Sequence, residues 1–291
     1  MDMTQSLFNA GLLCDGASEL TNGAATPIPL PLVLFHGLLS TPQEFGLMAH
    51  ALRSHGIVHH APTLPGYTLA GARATGWHGW RAAANDAIDA ACPGSGPVVL
   101  GGLCMGGMLA AATALGSQRR IAGLVLMSPT FRYDGWGMSP VRHLRHLGYW
   151  TGIDRFFSVR ERQPYGVKNP RIRQWIMRQL QASAVSAAGP ARIPLTALRQ
   201  AEHMMTHVRR GLAALRCPLL LIHAREDEIT SIASVQKVFD ALPGADKRLA
   251  VLENSYHMIT IDNDRQQVSH LLLDFVKRLS QSVVAHPTGT P

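Results

Sequence analysis

Cys104 lies at the centre of Gly102-Leu103-Cys104-Met105-Gly106-Gly107, after the apolar run Val98-Val99-Leu100 and before the small-residue stretch from Met108 to Ala114. Strand, sharp turn and helix at that spacing make a nucleophile elbow, with a thiol where most elbows carry a hydroxyl. The glycines have a steric purpose. The turn strains its central residue, and a Cβ two positions to either side would meet neighbouring backbone. A thiol exposed at the top of a sheet can attack an acyl carbon once a base takes its proton. An unpaired Cys after a strand is equally compatible with plain burial, so the rest of the chain has to supply a base and an acid.

In such an elbow the partners follow the nucleophile in the order acid, then histidine. Beyond the apolar run Leu219-Leu220-Leu221-Ile222, the segment His223-Ala224-Arg225-Glu226-Asp227-Glu228-Ile229-Thr230 offers three carboxylates in succession. Asp227 is the expected acid because it sits where the loop turns toward the next helix; Glu226 and Glu228 are expected to face solvent, and either remains a possible substitute. The expected base is His257, in Glu253-Asn254-Ser255-Tyr256-His257-Met258, after the last strand. The other thirteen histidines compete poorly. His36 is expected to brace a strand-end loop, His59 and His60 lie upstream, and His143 and His146 fall in a middle segment where nothing separates them from exposed residues. Acyl transfer also needs donors for a developing oxyanion. The backbone N–H groups of Met105, after the nucleophile, and of Leu38, in the loop after the His36 strand, are the expected pair.

The elements that would position these residues alternate. Leu32-Val33-Leu34-Phe35 reads as a buried parallel strand, followed by a helix from about 42 to 54, a strand beginning at Ile57-Val58, a helix from Trp77 to Ala91, the elbow strand and helix, and the strand Gly123 to Met127. From Phe131 to about Arg216 no strand pattern is visible, only helical stretches at 140–147, 170–183 and 195–215. Strand character returns at 219–222 and 248–252, each followed by a helix, the last from about 265 to 279. This order predicts an α/β fold, a mostly parallel doubly wound sheet with a helical cap inserted over the carboxyl ends of its strands. The expected boundaries are a loose arm over 1–26, a core from 27–130 and 217–282, a cap over 131–216, and a disordered tail over 283–291.

At 291 residues and 46% hydrophobic, the chain can bury one large core. Its apolar runs are strand-length, so no membrane span is expected, and neither a signal peptide nor a lipidation signal is visible. Four widely spaced cysteines, Cys14, Cys92, Cys104 and Cys217, disfavour thiol metal sites and a disulfide framework, and point to a reducing cytoplasm. No cofactor or metal is expected. The net charge of +8 is concentrated: residues 132–216 hold fifteen Lys and Arg against four Asp and Glu, leaving the remainder net negative. A solvated helical surface accounts for such a segment; so does a docking face for an acidic partner. No recognition motif supports nucleic acid.

Together, His36-Gly37-Leu38, His60-Ala61-Pro62 with Gly66, the Cys104 elbow, Ala224 to Ile229, and Ser255-Tyr256-His257-Met258-Ile259-Thr260-Ile261-Asp262 give a chain that resembles the α/β-hydrolase superfamily, in its compact carboxylesterase and monoacylglycerol-lipase branch. The likeness covers most of residues 31–280, and departs from the branch in its Cys nucleophile and its long basic insertion. Cys-centred elbows occur in dienelactone hydrolases, which lack such an insertion, in polyhydroxyalkanoate synthases, which are longer, and in small transferases that shuttle acyl or aminoacyl groups between carrier proteins. A thiolate attacking an ordinary oxoester is the better leaving group and tends to fall back, whereas a thioester donor is matched. The resemblance therefore implies an acyl-Cys enzyme fed by an acyl or aminoacyl thioester, on coenzyme A or tethered through phosphopantetheine to an acidic carrier docked on the basic cap. The alternatives are a carboxylesterase-type hydrolase of a small activated ester and a non-catalytic receptor using the same pocket. Trp136, Tyr149, Trp150, Phe156 and Phe157 are expected to build the cap's own small core in preference to a pocket wall.

Overall fold

The computed structural model describes residues 30–69, 76–244 and 246–285. The N-terminal arm expected over 1–26 lies outside the described residues, as does the tail from 286 onward. Strand β1 (Leu32–Phe35) has no polar position and is buried throughout, so it must be covered on both faces. A short helical turn and α1 (Gly46–Ser54) lead to β2 (His59–His60), followed by α2 (Trp77–Ala91) and β3 (Val98–Leu103). Then come α3 (Met105–Leu115) and β4 (Ile121–Met127). The segment that follows carries α4 (Arg145–Thr151), β5 (Ser158–Arg160), α5 (Pro170–Ala182), β6 (Val185–Ser186), β7 (Gly189–Pro190), β8 (Arg192–Pro194) and α6 (Leu195–Gly211). The chain closes with β9 (Leu219–Ala224), α7 (Ile232–Ala241), β10 (Lys247–Leu252) and α8 (Arg265–Ala285).

Six of these strands form one parallel sheet in the order β2-β1-β3-β4-β9-β10. Alternate side chains enter two separate cores, as the two-residue period of a strand requires. Val33, Phe35, Leu100, Leu126 and Leu221 face α2, α3 and α6. Leu32, Leu34, Val99, Val125, Met127 and Ile222 face α1 and α8. Because β2 lies on one side of β1 and β3 on the other, the chain reverses direction across the sheet between them. A cleft opens at such a reversal, outside the carboxyl ends of the strands.

Helix α3 is buried over every residue but its last. It is pressed between the sheet and α6, whose buried residues Ala197, Ala201, Met204, Met205 and Val208 recur at helical spacing. The insertion is thus part cover and part flank, and it is not all-helical. Strands β5 and β8 pair antiparallel, as do β6 and β7, at two or three residues each. Elements that short show no alternation to read. The expected aromatic core of the insertion is also absent: Trp136, Trp150, Phe156 and Phe157 are exposed, Trp150 by 85%. The terminal helix runs to Ala285, past the point where the tail was expected to begin. Among the described residues no helix is long and apolar enough to cross a membrane.

One position tests the packing of α3 on β1. A Cβ on Gly106 would stand 1.9 Å from the Phe35 carbonyl oxygen and 2.4 Å from that of His36, whereas one on Gly46, in α1, would meet nothing within 4 Å. Gly106→Ala is expected to lose about 3 kcal/mol or more of stability. Gly46→Ala should be neutral or gain up to about 1 kcal/mol, and urea denaturation midpoints read both.

Candidate active site

The turn between β3 and α3 places Cys104 at φ 56° and ψ −122°, a left-handed conformation that side chains rarely adopt. It is possible because Gly102 and Gly106 lack side chains: a Cβ on Gly102 would lie 2.3 Å from the carbonyl carbon of Gly106. The Cys104 N–H donates to the Met127 carbonyl at 2.8 Å, which ties the turn to β4. Its sulfur is partly exposed and sits 3.3 Å from the hydroxyl oxygen of buried Thr130. Thr130, two residues beyond an irregular loop position, carried no sequence signal.

Asp227 and His257 come together as expected. Asp227 leaves the end of β9, and its Oδ1 accepts the backbone N–H groups of Ile229 at 2.8 Å and Thr230 at 2.9 Å. Its Oδ2 meets His257 Nδ1 at 2.7 Å. A carboxylate so bound orients the imidazole and assigns the Nδ1 proton, leaving Nε2 for other work. That Nε2 is buried, makes no hydrogen bond of ordinary geometry among the described residues, and belongs to a side chain that lines the same cavity as Cys104 and interacts with it. Buried His223 lies behind, 3.6 Å from Asp227 Oδ2 and donating from Nε2 to the Thr230 carbonyl.

The electrostatics follow from this burial. Burial disfavours a charged imidazole at His257, but Asp227 and then Cys104 outweigh it and hold the pKa well above 6.5. Burial likewise pushes Asp227 upward, and His257, His223 and the Thr230 N–H more than reverse it, so the carboxyl stays below its usual range. His36 is buried, with Nδ1 on the Gly37 carbonyl, and burial lowers it to about 4. An imidazole bracing the loop is what the sequence suggested.

Leu38 and Met105 both line the cavity, and among the described residues no protein acceptor takes the backbone N–H of either. Three carboxylates line it as well. Glu228, expected to face solvent, is 4% exposed, and its Oε2 accepts the His257 N–H at 3.2 Å. The cause is close backbone packing, since a Cβ on Gly135 would stand 2.3 Å from the Glu228 carbonyl carbon. Glu226 does turn outward and pairs with Lys168 at 2.8 Å. Glu44 is buried beside the Leu38 loop, its Oε2 accepting the Gly37 N–H at 2.8 Å. Glu161 reaches in from the insertion. Burial lifts Glu44, Glu161 and Glu228 each to about 7. Glu161 had one available signal, as the lone acid between Arg160 and Arg162 in a basic segment.

The cavity encloses about 120 Å³. A larger one of about 280 Å³ lies at the other end of the sheet, around the start of β9, where the only thiol is Cys217, pushed up to about 11 by burial. Acid, imidazole and strained thiol converge only on the smaller one. His143 and His146 lie apart on the insertion, His146 half-exposed and 3.9 Å from Glu202. Among the described residues no group of three or more His, Cys, Asp or Glu could hold a metal ion.

The parallel sheet, buried elbow helix and strand-end loops define an α/β-hydrolase fold. The chain belongs to the serine aminopeptidase, S33, family of hydrolases, whose model matches residues 30–264. It is 22% identical over 249 residues to a thermostable monoacylglycerol lipase of Bacillus sp., covering 85% of this chain and 90% of the lipase. It is 21% identical to a carboxylesterase of Bacillus subtilis, covering 85% of this chain and 92% of the esterase. Among solved structures, the monoacylglycerol lipase of Paleococcus ferrophilus superposes with a TM-score of 0.68 at 19% identity, over 88% of this chain and 94% of that one.

Glu44 yields a stability prediction. Its pKa of 4.5 in the unfolded chain rises to about 7 on folding, so its share of stability is full below 4.5 and lost as pH climbs to 7. Glu44→Gln removes that loss. Relative to the parent chain it should gain about 1 to 3 kcal/mol between pH 4.5 and 8, measured by chemical denaturation at the two pH values.

Proposed function

We propose that the protein is an acyl hydrolase that cleaves a short-chain carboxylic ester or thioester through a covalent acyl-Cys104 intermediate. The observation that carries the reading is the shared cavity of Cys104 and the buried His257 Nε2, with Asp227 holding the other ring nitrogen at 2.7 Å. In this reading His257 holds the thiol proton as an imidazolium, as its raised pKa favours, and the Cys104 sulfur attacks the acyl carbon as thiolate. The N–H groups of Leu38 and Met105 receive the oxyanion, Met105 at the positive end of α3. Collapse of the tetrahedral adduct expels the alcohol or thiol, which collects the proton from His257. Water then enters, His257 takes its proton, and the acid departs as the Cys104 sulfur is released. The small cavity favours a short acyl chain. Deacylation by water is favoured by the likeness to a monoacylglycerol lipase and a carboxylesterase.

A second reading has specific support. A thiol at the elbow matches a thioester donor better than an oxoester, and the insertion exposes Arg155, Arg160, Arg162, Arg171 and Arg192 as well as Trp150, Phe156 and Phe157, with Arg155 over the Phe156 ring at 4.9 Å. Such a surface suits an acidic carrier protein or coenzyme A, with the acyl group passed to a thiol or amine instead of water.

Intact-mass measurement with paired butanoyl oxoester and thioester substrates tests both. An acyl adduct on Cys104, lost in Cys104→Ala, is expected, and His257→Ala should slow acylation about a thousandfold or more. Release of free acid as the main product, even with added thiol or amine, identifies the hydrolase; diversion into the added acceptor identifies the transferase. Turnover undiminished in Cys104→Ala would defeat both.

A further inference from the structure

Thr130 is fully buried beside the nucleophile, and its hydroxyl oxygen lies 3.3 Å from the Cys104 sulfur. A buried hydroxyl ordinarily donates to a backbone carbonyl; among the described residues this one has no partner but the sulfur. Its place is fixed from both sides. Strand β4 ends at Met127, whose carbonyl also takes the Cys104 N–H, and the chain then turns through Ser128 at φ 43° into Pro129. Beyond Thr130, the Phe131 ring is buried, the Thr230 hydroxyl donates to the Arg132 carbonyl at 2.7 Å, and the Asp134 carboxylate accepts the N–H and hydroxyl of Ser231, each at 3.0 Å. The loop that carries Thr130 is therefore tied at one end to the elbow and at the other to the loop that carries Asp227.

Which atom donates decides what the contact does. If the thiol gives its proton to Thr130, the threonine hydrogen is buried with no acceptor, which is costly, and the thiol proton points away from His257. With Thr130 as donor, the Cys104 proton is left to His257. A thiol sulfur is a weak acceptor and a thiolate a strong one, so the hydroxyl binds more tightly once the proton has crossed. His257 shares the cavity and interacts with the sulfur; against the pull of burial, Asp227 and then Cys104 hold its pKa well above 6.5. The other titratable groups nearby are Glu44, Glu161 and Glu228, which line the cavity, and the phenols of Tyr67 and Tyr133, which burial and then the sulfur push upward so that they stay neutral. Among the described residues none of these five is hydrogen-bonded to the sulfur.

We infer that Thr130 is a further catalytic residue of this site, its hydroxyl donating to the Cys104 thiolate and holding the sulfur charged and aimed before the acyl donor arrives. For its place in turnover the inference rests on the acyl-Cys104 reading. Attack turns the sulfur into an uncharged thioester, and the bond from Thr130 weakens. When water has added and the C–S bond breaks, its electron pair returns to the sulfur and the hydroxyl binds the thiolate again. Thr130 thus favours both the activation of the sulfur and its release.

The test is the pH profile of Cys104 alkylation by iodoacetamide in the full chain, read by peptide mapping, which needs no acyl donor. Thr130→Val keeps the branched shape without the hydroxyl, and Thr130→Ala removes the hydroxyl without crowding. In both, the rate on the rising limb of the profile should fall about tenfold or more, while the plateau at high pH stays at or above that of the parent chain. Thr130→Ser, which keeps the hydroxyl, should recover most of the loss. A hydroxyl that only supports the fold would lower the plateau and leave the limb in place. A limb unmoved in both Thr130→Val and Thr130→Ala, or a loss that Thr130→Ser does not recover, overturns the inference. Acylation of the parent by a butanoyl thioester, followed by intact mass, reads the underlying chemistry separately. An adduct on Cys104 with an unmoved limb overturns the role of Thr130 and leaves the acyl-Cys104 reading standing. No adduct, with the limb displaced, overturns that reading and leaves the Thr130–thiolate bond standing.

Discussion

Everything in this site depends on holding one side chain in a conformation it would not choose. Cys104 at φ 56° and ψ −122° costs about 1 to 3 kcal/mol in backbone strain, and such strain persists only where the surroundings permit nothing else. Here Gly102 and Gly106 let β3 and α3 approach closer than any side chain allows, the Met127 carbonyl captures the Cys104 N–H, and α3 is wedged between sheet and α6. The hydrophobic effect that buries α3 therefore also supports the strained turn, with two consequences. The sulfur is lifted clear of the sheet, and the N–H of Met105 is left at the helix start without an acceptor.

A second constraint brings the insertion into register with the His257 loop. Asp262, fully buried, accepts the N–H groups of Lys168, Asn169 and Tyr256 at 2.6, 2.9 and 2.9 Å. The first two belong to the insertion and the third to the residue before His257. The Met258 N–H then donates to the Gly166 carbonyl at 2.8 Å, and Gly166 has φ 74° and no room for a Cβ, which would fall 2.5 Å from Met258 Cγ. The inserted segment is thus bonded to the loop that carries the imidazole, and Glu161, a few residues upstream of that seam, shares its placement.

How much of this can be read from the chain follows from how local each feature is. The elbow is one: glycines at 102, 106 and 107 around Cys104 encode a turn by themselves, and the parallel sheet is legible because β1, β4, β9 and β10 each hold a run of four apolar residues. Asp227 and His257 are legible because they close such strands. Thr130 and Glu44 have roles set only by what folds against them. Glu228 was misplaced because its burial depends on Gly135 and Gly137, some ninety residues earlier, packing onto its backbone. The exposed aromatics of the insertion show the converse: Trp150 and Phe156 look like core in a sequence, but their segment lies on the outer surface.

Charge is where composition most misleads. A segment with fifteen bases and four acids suggests a basic site, yet the arginines are mostly on its outer surface and one of its few acids faces the cavity. Counting charges treats a segment as a point; the field at the reacting atoms depends on which residues point inward and how poorly water screens them there. An anionic donor would be drawn to the outer face, because exposed charges act at range in solution. At the thiol the nearest groups decide, because His257, which Asp227 holds well above its ordinary pKa, and the inward carboxyls lie in a poorly screened interior where distant solvated guanidinium groups count for little.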